Sequence, residues 1–219
     1  MSRLDLDMSA AASQLSDIGV AQPEAVAVLK ELHSKYPLAL MFVTADASGK
    51  IVAAYPEGYS SFEGTYISPK NLRKPEFKWV FIMVEVTNTF AFTWPVFSPN
   101  GGATGSVSLI FEPEKLLAST SVLIPKGSDV SIEILQTDGL YIYDSTGAVT
   151  GYNLFTSPGF KQYKGLLAFG RKVASKKSGS GSLTIIDSTT GQTVKKEVAW
   201  STVKLYDITW RVMCSQVVP

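Results

Sequence analysis

The stretch that decides the fold is YPLALMFVTADASGKIVAAYP, residues 36–56. The run LALMFVTAD predicts a short buried strand, ASGK a turn, and IVAAYP the returning strand. Asp46 and Gly49 bracket the connection, and both residue types favour tight turns between antiparallel strands. The chain therefore enters an antiparallel sheet soon after Pro37.

A second stretch echoes this hairpin. Asp46-Ala-Ser-Gly49-Lys-Ile51 recurs as Asp144-Ser-Thr-Gly147-Ala-Val149. The pattern is weak by itself, because turns favour these residue types everywhere. Each copy, however, follows an apolar strand and is followed by a loop, a helix and further antiparallel strands. The repetition predicts two lobes of one architecture, and we expect the two turns to overlay when the halves are superposed.

The sequence predicts the structure of two further segments in the second lobe. AVTGYN, residues 148–153, predicts the strand that follows the second turn. KKSGSGS, residues 176–182, predicts a flexible loop, because serine and glycine favour flexible connections.

Helical spacing dominates the start of the chain. One apolar stripe consists of Leu4, Met8, Ala11, Leu15 and Ile18. A second helix begins near Pro23 and ends before Pro37, as a helical pair or one long kinked helix. The predicted fold class is α+β, with a long N-terminal helix and two lobes that each hold a central antiparallel sheet flanked by helices. The predicted domains are a helical stalk (residues 1–36), a first lobe (37–124) and a second lobe (125–219).

Composition excludes several classes of protein. The 219 residues are 45% hydrophobic and 18% charged, with a net charge of +1. Such a chain is not disordered, and it lacks the clustered cations that a nucleic-acid surface needs. Cys214 and His33 are the only residues of their types, so a zinc site and a cysteine–histidine catalytic pair are both disfavoured. We expect no catalytic residues, no metal and no cofactor.

No segment of the sequence predicts a membrane span. The apolar runs, such as ALMFV and FIMV, are far shorter than the roughly 20 residues that a spanning helix needs. The N-terminus also lacks the apolar core of a signal peptide. If the protein works outside a membrane, we expect the chain to be an excised portion of a longer protein.

Taken together, these segments resemble a double Cache domain, the PAS-like sensor of prokaryotic histidine kinases and chemoreceptors. The resemblance covers most of residues 1–216 and rests on turn and strand patterns. They are the N-terminal helix, the opening hairpin, WPVFSPNGGATGSVSLIFEPEKLL (94–117), ILQTDGLYIYDSTGAVTGYNLF (134–155) and VKKEVAWSTVKLYDITWRVMC (194–214).

The resemblance implies an extracytoplasmic module, periplasmic or at the cell surface. Such a module binds a small-molecule ligand in its membrane-distal lobe, and membrane segments absent from this chain anchor it. It also implies a weak homodimer at most, formed through the N-terminal helix. The alternative is a secreted or lipid-anchored binding or scaffold protein without signalling output.

The ligand site is predicted between residues 66 and 94, where aromatic side chains and cations gather. The predicted ligand-binding residues are Tyr66, Arg73, Trp79, Phe92 and Trp94. Arg73 is the leading candidate for binding an anionic ligand group, because a planar guanidinium can donate two hydrogen bonds to a carboxylate. The alternative is that the aromatic residues are ordinary core and the cations are solvated.

The resemblance also bears on the ligand class. Amino-acid-binding members carry a Tyr, an Arg, an adjacent Trp-Tyr pair and a downstream Asp that holds the ammonium. Here Trp79 is followed by Val80, and no Asp or Glu lies between Val86 and Phe111. A carboxylate or a neutral, aromatic-stacked ligand is therefore expected rather than an α-amino acid. The second lobe offers Tyr141, Tyr143, Tyr152, Asn153 and Tyr163. Tyrosines can line a pocket or cover a half-exposed sheet, and the covering role is favoured here.

Overall fold

The computed structural model describes residues 3–67, 72–82, 87–118, 130–186, 191–205 and 208–218. Within these ranges, the side chains of residues 76–82, 87–88, 116–118, 205 and 208 lie outside the description. The chain divides into two compact units, Met1–Leu116 and Leu117–Pro219. The predicted domain boundary at residues 124 and 125 lies outside the described residues and stays a prediction.

Two helices open the first unit, α1 (Arg3–Ile18) and α2 (Pro23–Lys35). The stripe predicted for α1 packs inward, since Met8, Ala11 and Leu15 are buried. Both helices lie against the sheet of their own unit: α1 packs on its fourth and fifth strands and α2 on its first and second. The apolar stripe is thus used inside the unit that carries it.

The first sheet has five antiparallel strands in the order β2-β1-β5-β4-β3. They are β1 (Met41–Asp46), β2 (Ile51–Tyr55), β3 (Glu76–Ile82), β4 (Thr87–Phe97) and β5 (Ala103–Phe111). A 3₁₀ turn, Glu57–Phe62, follows β2, and a short helix, α3 (Pro113–Ala118), follows β5.

Strand alternation gives this sheet two different faces. The helix face carries Phe42, Phe92 and Trp94, and the ring of Phe42 meets His33 of α2 at 6.4 Å between centroids. The opposite face carries a compact apolar cluster on which Tyr59 and Phe62 of the 3₁₀ turn pack. Its buried members are Met41, Val43, Ala45, Ile51, Ala54, Ile67, Ala91 and Ile110.

The second sheet repeats this topology, with the order β7-β6-β10-β9-β8. Its elements are β6 (Val130–Gln136), β7 (Tyr141–Asp144), α4 (Lys164–Ser175), β8 (Gly179–Ile186), β9 (Thr193–Leu205) and β10 (Ile208–Val218), with a 3₁₀ turn at Pro158–Phe160. In each sheet the last strand lies between the first and the fourth. Two antiparallel sheets after N-terminal helices confirm the predicted α+β class.

In both units the first two strands are joined by a turn of the same hydrogen-bond geometry. This turn is 46–50 in the first unit and 136–140 in the second. In each, the N–H of the first residue donates to the carbonyl of the last at 2.8–2.9 Å, and the glycine in fourth place donates to the first carbonyl at 2.9 Å. An isolated bridge follows each turn, Lys50 to Tyr66 and Leu140 to Asn153. Gln136 therefore takes the place of Asp46.

The predicted overlay of the two Asp-x-x-Gly turns is wrong, because the second of them follows β7 rather than β6. Asp144 closes its turn by accepting hydrogen bonds from the N–H groups of Thr146, Ala148 and Val149 at 3.0–3.3 Å. The predicted strand at 148–153 is replaced by turns and a single bridge at Asn153. The prediction of an aspartate turn at 144–147 therefore holds, but this turn does not correspond to the one at 46–49.

The predicted loop at 176–182 is also wrong in its second half, because Gly179 begins β8 and pairs with Trp200 of β9. A Cβ at Gly179 would lie 2.6 Å from the Trp200 ring. Glycine at this position allows β8 to pack closely against the Trp200 ring, and the local sequence does not indicate this role.

Candidate functional site

The predicted ligand-binding residues whose side chains the structure describes occupy different environments in the first unit. Tyr66 is 69% exposed beside the β1–β2 turn, whereas Phe92 and Trp94 are 5% and 4% exposed on the helix face. Phe92 stacks on Phe111 with ring centroids 5.5 Å apart. The side chain of Trp79 lies outside the described residues.

Arg73 and Trp94 are the two predicted residues that come together. Both line an open cleft of about 480 Å³ between α1 and the end of β4. Phe97 adds apolar surface, and the Ser16 hydroxyl donates to the Phe97 carbonyl. The other polar residues of the lining are Ser9, Ser13, Lys74 and Ser98. Tyr66 and Phe92 are not among the described residues that line this cleft. The binding roles of all five residues stay predictions.

The acid that directly follows β5 is already paired. Glu112 follows β5 directly and is 5% exposed. Its carboxylate forms an ion pair with Lys115 of α3. A ligand ammonium would have to compete with this lysine for Glu112.

The second unit contains a more enclosed cavity of about 360 Å³, between the sheet and α4. Strands β6, β8, β9 and β10 form its floor, and the 3₁₀ turn and α4 form its roof. Its apolar wall comprises Leu135, Leu154, Phe160, Leu166, Phe169, Leu183, Ile185, Val198 and Met213. A volume in the range of roughly 300–1,000 Å³ is typical of small-molecule sites.

Polar groups converge in this cavity on Glu133 of β6. Asp144 and Tyr141 approach from β7, Lys196 from β9 and Ser215 from β10. No described residue forms an ion pair or hydrogen bond with the Glu133 carboxylate. Asp144, by contrast, is fully engaged in its own turn, where the hydroxyl of Thr146 also donates to it at 2.6 Å.

These surroundings raise the pKa of Glu133 from 4.5 to about 7. Desolvation in the cavity is the main cause, the Asp144 charge adds to it, and the Lys196 charge, the smallest of the three causes, opposes it. Burial and the two carboxylates also raise the pKa of the Tyr141 phenol. The floor of the cavity thus favours positive over negative charge.

The raised pKa of Glu133 makes the stability of the second unit depend on pH. Below about pH 4.5 the carboxyl is protonated in the folded and the unfolded chain, so it contributes nothing. Between about pH 4.5 and pH 7 the unfolded chain ionises while the folded chain keeps its proton, so the unfolding free energy falls as pH rises through this range and stays lower above it. We expect Glu133→Gln to raise the unfolding free energy by about 1–3 kcal/mol at pH 8, a range that allows for solvent screening of this partly exposed group.

Urea unfolding of both proteins at pH 4.5 and pH 8 measures this effect. The matched control is Glu197→Gln, on the exposed opposite face of the same sheet, which should leave the pH dependence unchanged. A Glu133→Gln protein that is no more stable than the wild type at pH 8 would contradict the expectation.

Sequence reasoning missed Glu133 and Ser215 and misjudged Tyr141. The expected covering role fits Tyr152, which is 58% exposed. Tyr141 and Tyr163, which are 4% and 42% exposed, both line the cavity. Alternation in VSIEILQ places Glu133 with Ser131, which looks like a solvated face. No local signal could have marked that face as the inner one.

Comparison with known proteins places this geometry in a family. The family model described as HK/GC/Chemotaxis protein-like, sensor domain, matches residues 1–113, which is just over half of the chain. The chain belongs to this sensor-domain family. The double Cache resemblance is thereby confirmed. No curated protein sequence matches the chain.

Solved structures of sensor domains share the fold along almost the whole chain. An extracellular ligand binding receptor from Desulfohalobium retbaense is 29% identical with a TM-score of 0.75, over 97% of this chain and 36% of the receptor. The chain thus spans about a third of that receptor's length. The ligand-binding domain of the Pseudomonas fluorescens chemoreceptor CtaA, solved with L-alanine, is 13% identical with a TM-score of 0.66, over 99% of this chain and 88% of that domain.

A third structure is the periplasmic sensory domain of the Campylobacter jejuni chemoreceptor Tlp1. It is 15% identical with a TM-score of 0.63, over 97% of this chain and 86% of that domain. The family match and these structures identify the chain as a sensor domain of the extracytoplasmic kind. Among the described helices, none has the length and apolar character that crossing a membrane requires.

Proposed function

We propose that this sensor domain binds a small carboxylate or neutral metabolite in its first unit and relays the event to a membrane-linked signalling protein. The observation that carries the proposal is the cleft in which Arg73 lies near Trp94. A guanidinium beside an indole and a row of hydroxyls suits a ligand with one anionic end and a small apolar body. Among the side chains that the structure describes, no carboxylate pairs with Arg73.

The proposed ligand class rests on charge. The Asp that holds an ammonium in amino-acid-binding members has no counterpart between Val86 and Phe111, and Glu112 is paired with Lys115. CtaA was solved with L-alanine, but at 13% identity that likeness concerns the fold. Small carboxylates are therefore the first compounds to test, with L-alanine as the competing arm.

Signalling requires the ligand to favour one of two conformations of the domain. It can shift their populations only by the difference in its affinity for them. We propose no catalytic step, since binding energy is sufficient for this role. Dimerisation through α1 stays a proposal of weak pairing, because Met8, Ala11 and Leu15 are already buried in their own unit.

Arg73→Ala should weaken binding of a small carboxylate roughly tenfold to a hundredfold, because it removes a charge-assisted hydrogen bond worth about 1.5–3 kcal/mol. Calorimetric titration measures this, after a thermal-shift screen with mono- and dicarboxylates, their amides and L-alanine. Arg171→Ala is the matched control, since Arg171 lies over the Phe155 ring in the second unit.

Three results would count against the proposal. Equal affinity of the wild type and Arg73→Ala for the carboxylate would show that Arg73 does not bind its anionic end. Tighter binding of L-alanine than of any carboxylate would contradict the proposed ligand class. A screen in which no compound shifts the unfolding temperature would favour the alternative of a scaffold protein. A saturating ligand should stabilise the protein by about 2.7 kcal/mol at 100 times its Kd.

A further inference from the structure

The cavity of the second unit is built from positions that are apolar core in the first unit. The shared turn aligns the two sheets, so Ser131, Glu133 and Ser215 occupy the positions of Met41, Val43 and Ile110. Ser131 pairs with Ser215 across β6 and β10, as Met41 pairs with Ile110 across β1 and β5. Three apolar side chains of one lobe are thus replaced by three polar ones in the other.

These replacements leave hydrogen-bonding capacity unused. Ser215 is 4% exposed, and its hydroxyl has no partner among the residues that the structure describes. Burying a hydroxyl without a partner costs roughly 1–3 kcal/mol, so such groups are rare in native proteins. Glu133 of the neighbouring strand is likewise without a described donor. Both groups line the same cavity.

The charges that face Glu133 come from each element around the cavity. Asp144 and Tyr141 lie on β7, Lys196 on β9, and Tyr163 precedes α4. Asp144 affects Glu133 more strongly than Lys196 does. No described ion pair joins Lys196 to Glu133. Among the described residues that line the cavity, the carboxylates of Glu133 and Asp144 outnumber the single lysine, Lys196. A cation at an ionised Glu133 would therefore meet a net negative charge and the Ser215 hydroxyl.

The rest of the cavity suits an apolar body. Leu135, Phe169 and Met213 surround the acidic end. Inorganic cations prefer several oxygen ligands, and within the described part of the chain no group of three or more metal-binding side chains gathers. An ammonium group on a short hydrocarbon or aryl body fits both parts of the site.

We propose that the second unit holds its own binding site for a primary organic amine, with the ammonium at Glu133 and Ser215 and the apolar body against the α4 side of the cavity. This site is separate from the Arg73 cleft and lies beyond the family match, which ends at residue 113. The domain would then bind two ligands, a carboxylate or neutral metabolite in the first unit and a cationic amine in the second.

The test uses the 219-residue chain and four probes of similar shape: 2-phenylethylamine, 2-phenylethanol, phenylacetate and L-phenylalanine. Calorimetric titration at pH 8 should show binding of the amine at least about tenfold tighter than that of the alcohol. Any binding of phenylacetate belongs to the Arg73 cleft and should be unchanged by Glu133→Gln. L-Phenylalanine should bind more weakly than the amine, because its carboxylate enters the negative field. This series needs no variant, so it does not depend on the folding of a mutant.

Variants then locate the site. Glu133→Gln should weaken amine binding roughly tenfold to a hundredfold, and Ser215→Ala by a smaller factor, whereas Glu197→Gln on the opposite face should bind as the wild type does. For the wild type, affinity should fall about tenfold from pH 8 to pH 6, since only ionised Glu133 attracts an ammonium and its pKa is about 7.

Two outcomes would overturn the assignment. One is equal affinity for the amine and the alcohol, which would make the cavity a merely apolar pocket. The other is undiminished amine binding by Glu133→Gln, which would move the ammonium elsewhere. Neither outcome affects the Arg73 proposal, whose probes are carboxylates and whose variant lies in the other unit.

Discussion

Gly105→Ala is expected to destabilise the first unit by about 3 kcal/mol or more, a large part of the roughly 5–15 kcal/mol that holds a domain folded. A Cβ at this position would lie 2.2 Å from the carbonyl oxygen of Ala45 and 3.0 Å from Val20. Ala45 lies on β1, the direct neighbour of β5 in the sheet. Because the clash involves backbone, no side-chain rotation relieves it, and β1 must move away from β5.

Urea unfolding followed by far-ultraviolet circular dichroism measures this effect. Gly102→Ala is the matched control from the same turn region, since its nearest neighbour would be the Ser98 hydroxyl at 3.4 Å. This control should stay within about 0.5 kcal/mol of the wild type. A Gly105→Ala protein as stable as the control would show that the two strands are not held at this spacing.

Arg211→Met is expected to destabilise the second unit by about 2–4 kcal/mol, because it leaves the C-terminal end of α4 unsatisfied. Arg211 is 5% exposed on the central strand β10. Its Nε donates to the carbonyl of Val173 at 3.1 Å, and its Nη2 donates to that of Ala174 at 2.9 Å. A guanidinium here also complements the negative end of the helix dipole.

Methionine retains much of the apolar stem, so the loss reports the hydrogen bonds and the charge rather than a cavity. Guanidinium unfolding gives the change in stability, and hydrogen exchange should show faster exchange of the α4 amides. Arg171→Met, on the exposed side of the same helix, should change stability by less than about 1 kcal/mol. Unchanged α4 exchange in Arg211→Met would contradict the role assigned to this side chain.

The contrast between the predicted and the observed repeat shows how far local patterns reach. The aspartate turns at 46–49 and 144–147 look alike because both use an aspartate side chain to accept turn N–H groups. The turn that truly corresponds to the first one, 136–140, begins with Gln136 and does not match in sequence. Hydrogen-bond geometry relates the two turns, and many sequences satisfy that geometry.

In the candidate sites, too, the local sequence predicts some features, and contacts between distant segments decide the others. Arg73 was predicted from its type and position, and the structure places it in one cleft with Trp94. Phe92 and Trp94 share one face of β4, as strand alternation requires, and that face packs against helices from the start of the chain. Alternation determines which residues share a face, and it leaves open which face a helix covers.

The sequence by itself determined the helical pair, most of the strands and the two-lobed α+β plan, because these follow from apolar spacing and from turn residues within short windows. The tertiary structure decided the register of the strands and therefore the position of Glu133 beside Ser215 in a cavity. It also decided that Gly105 meets Ala45 and that Arg211 closes α4. Each of these contacts joins residues far apart in the chain, so its energy depends on packing between elements that no local window contains.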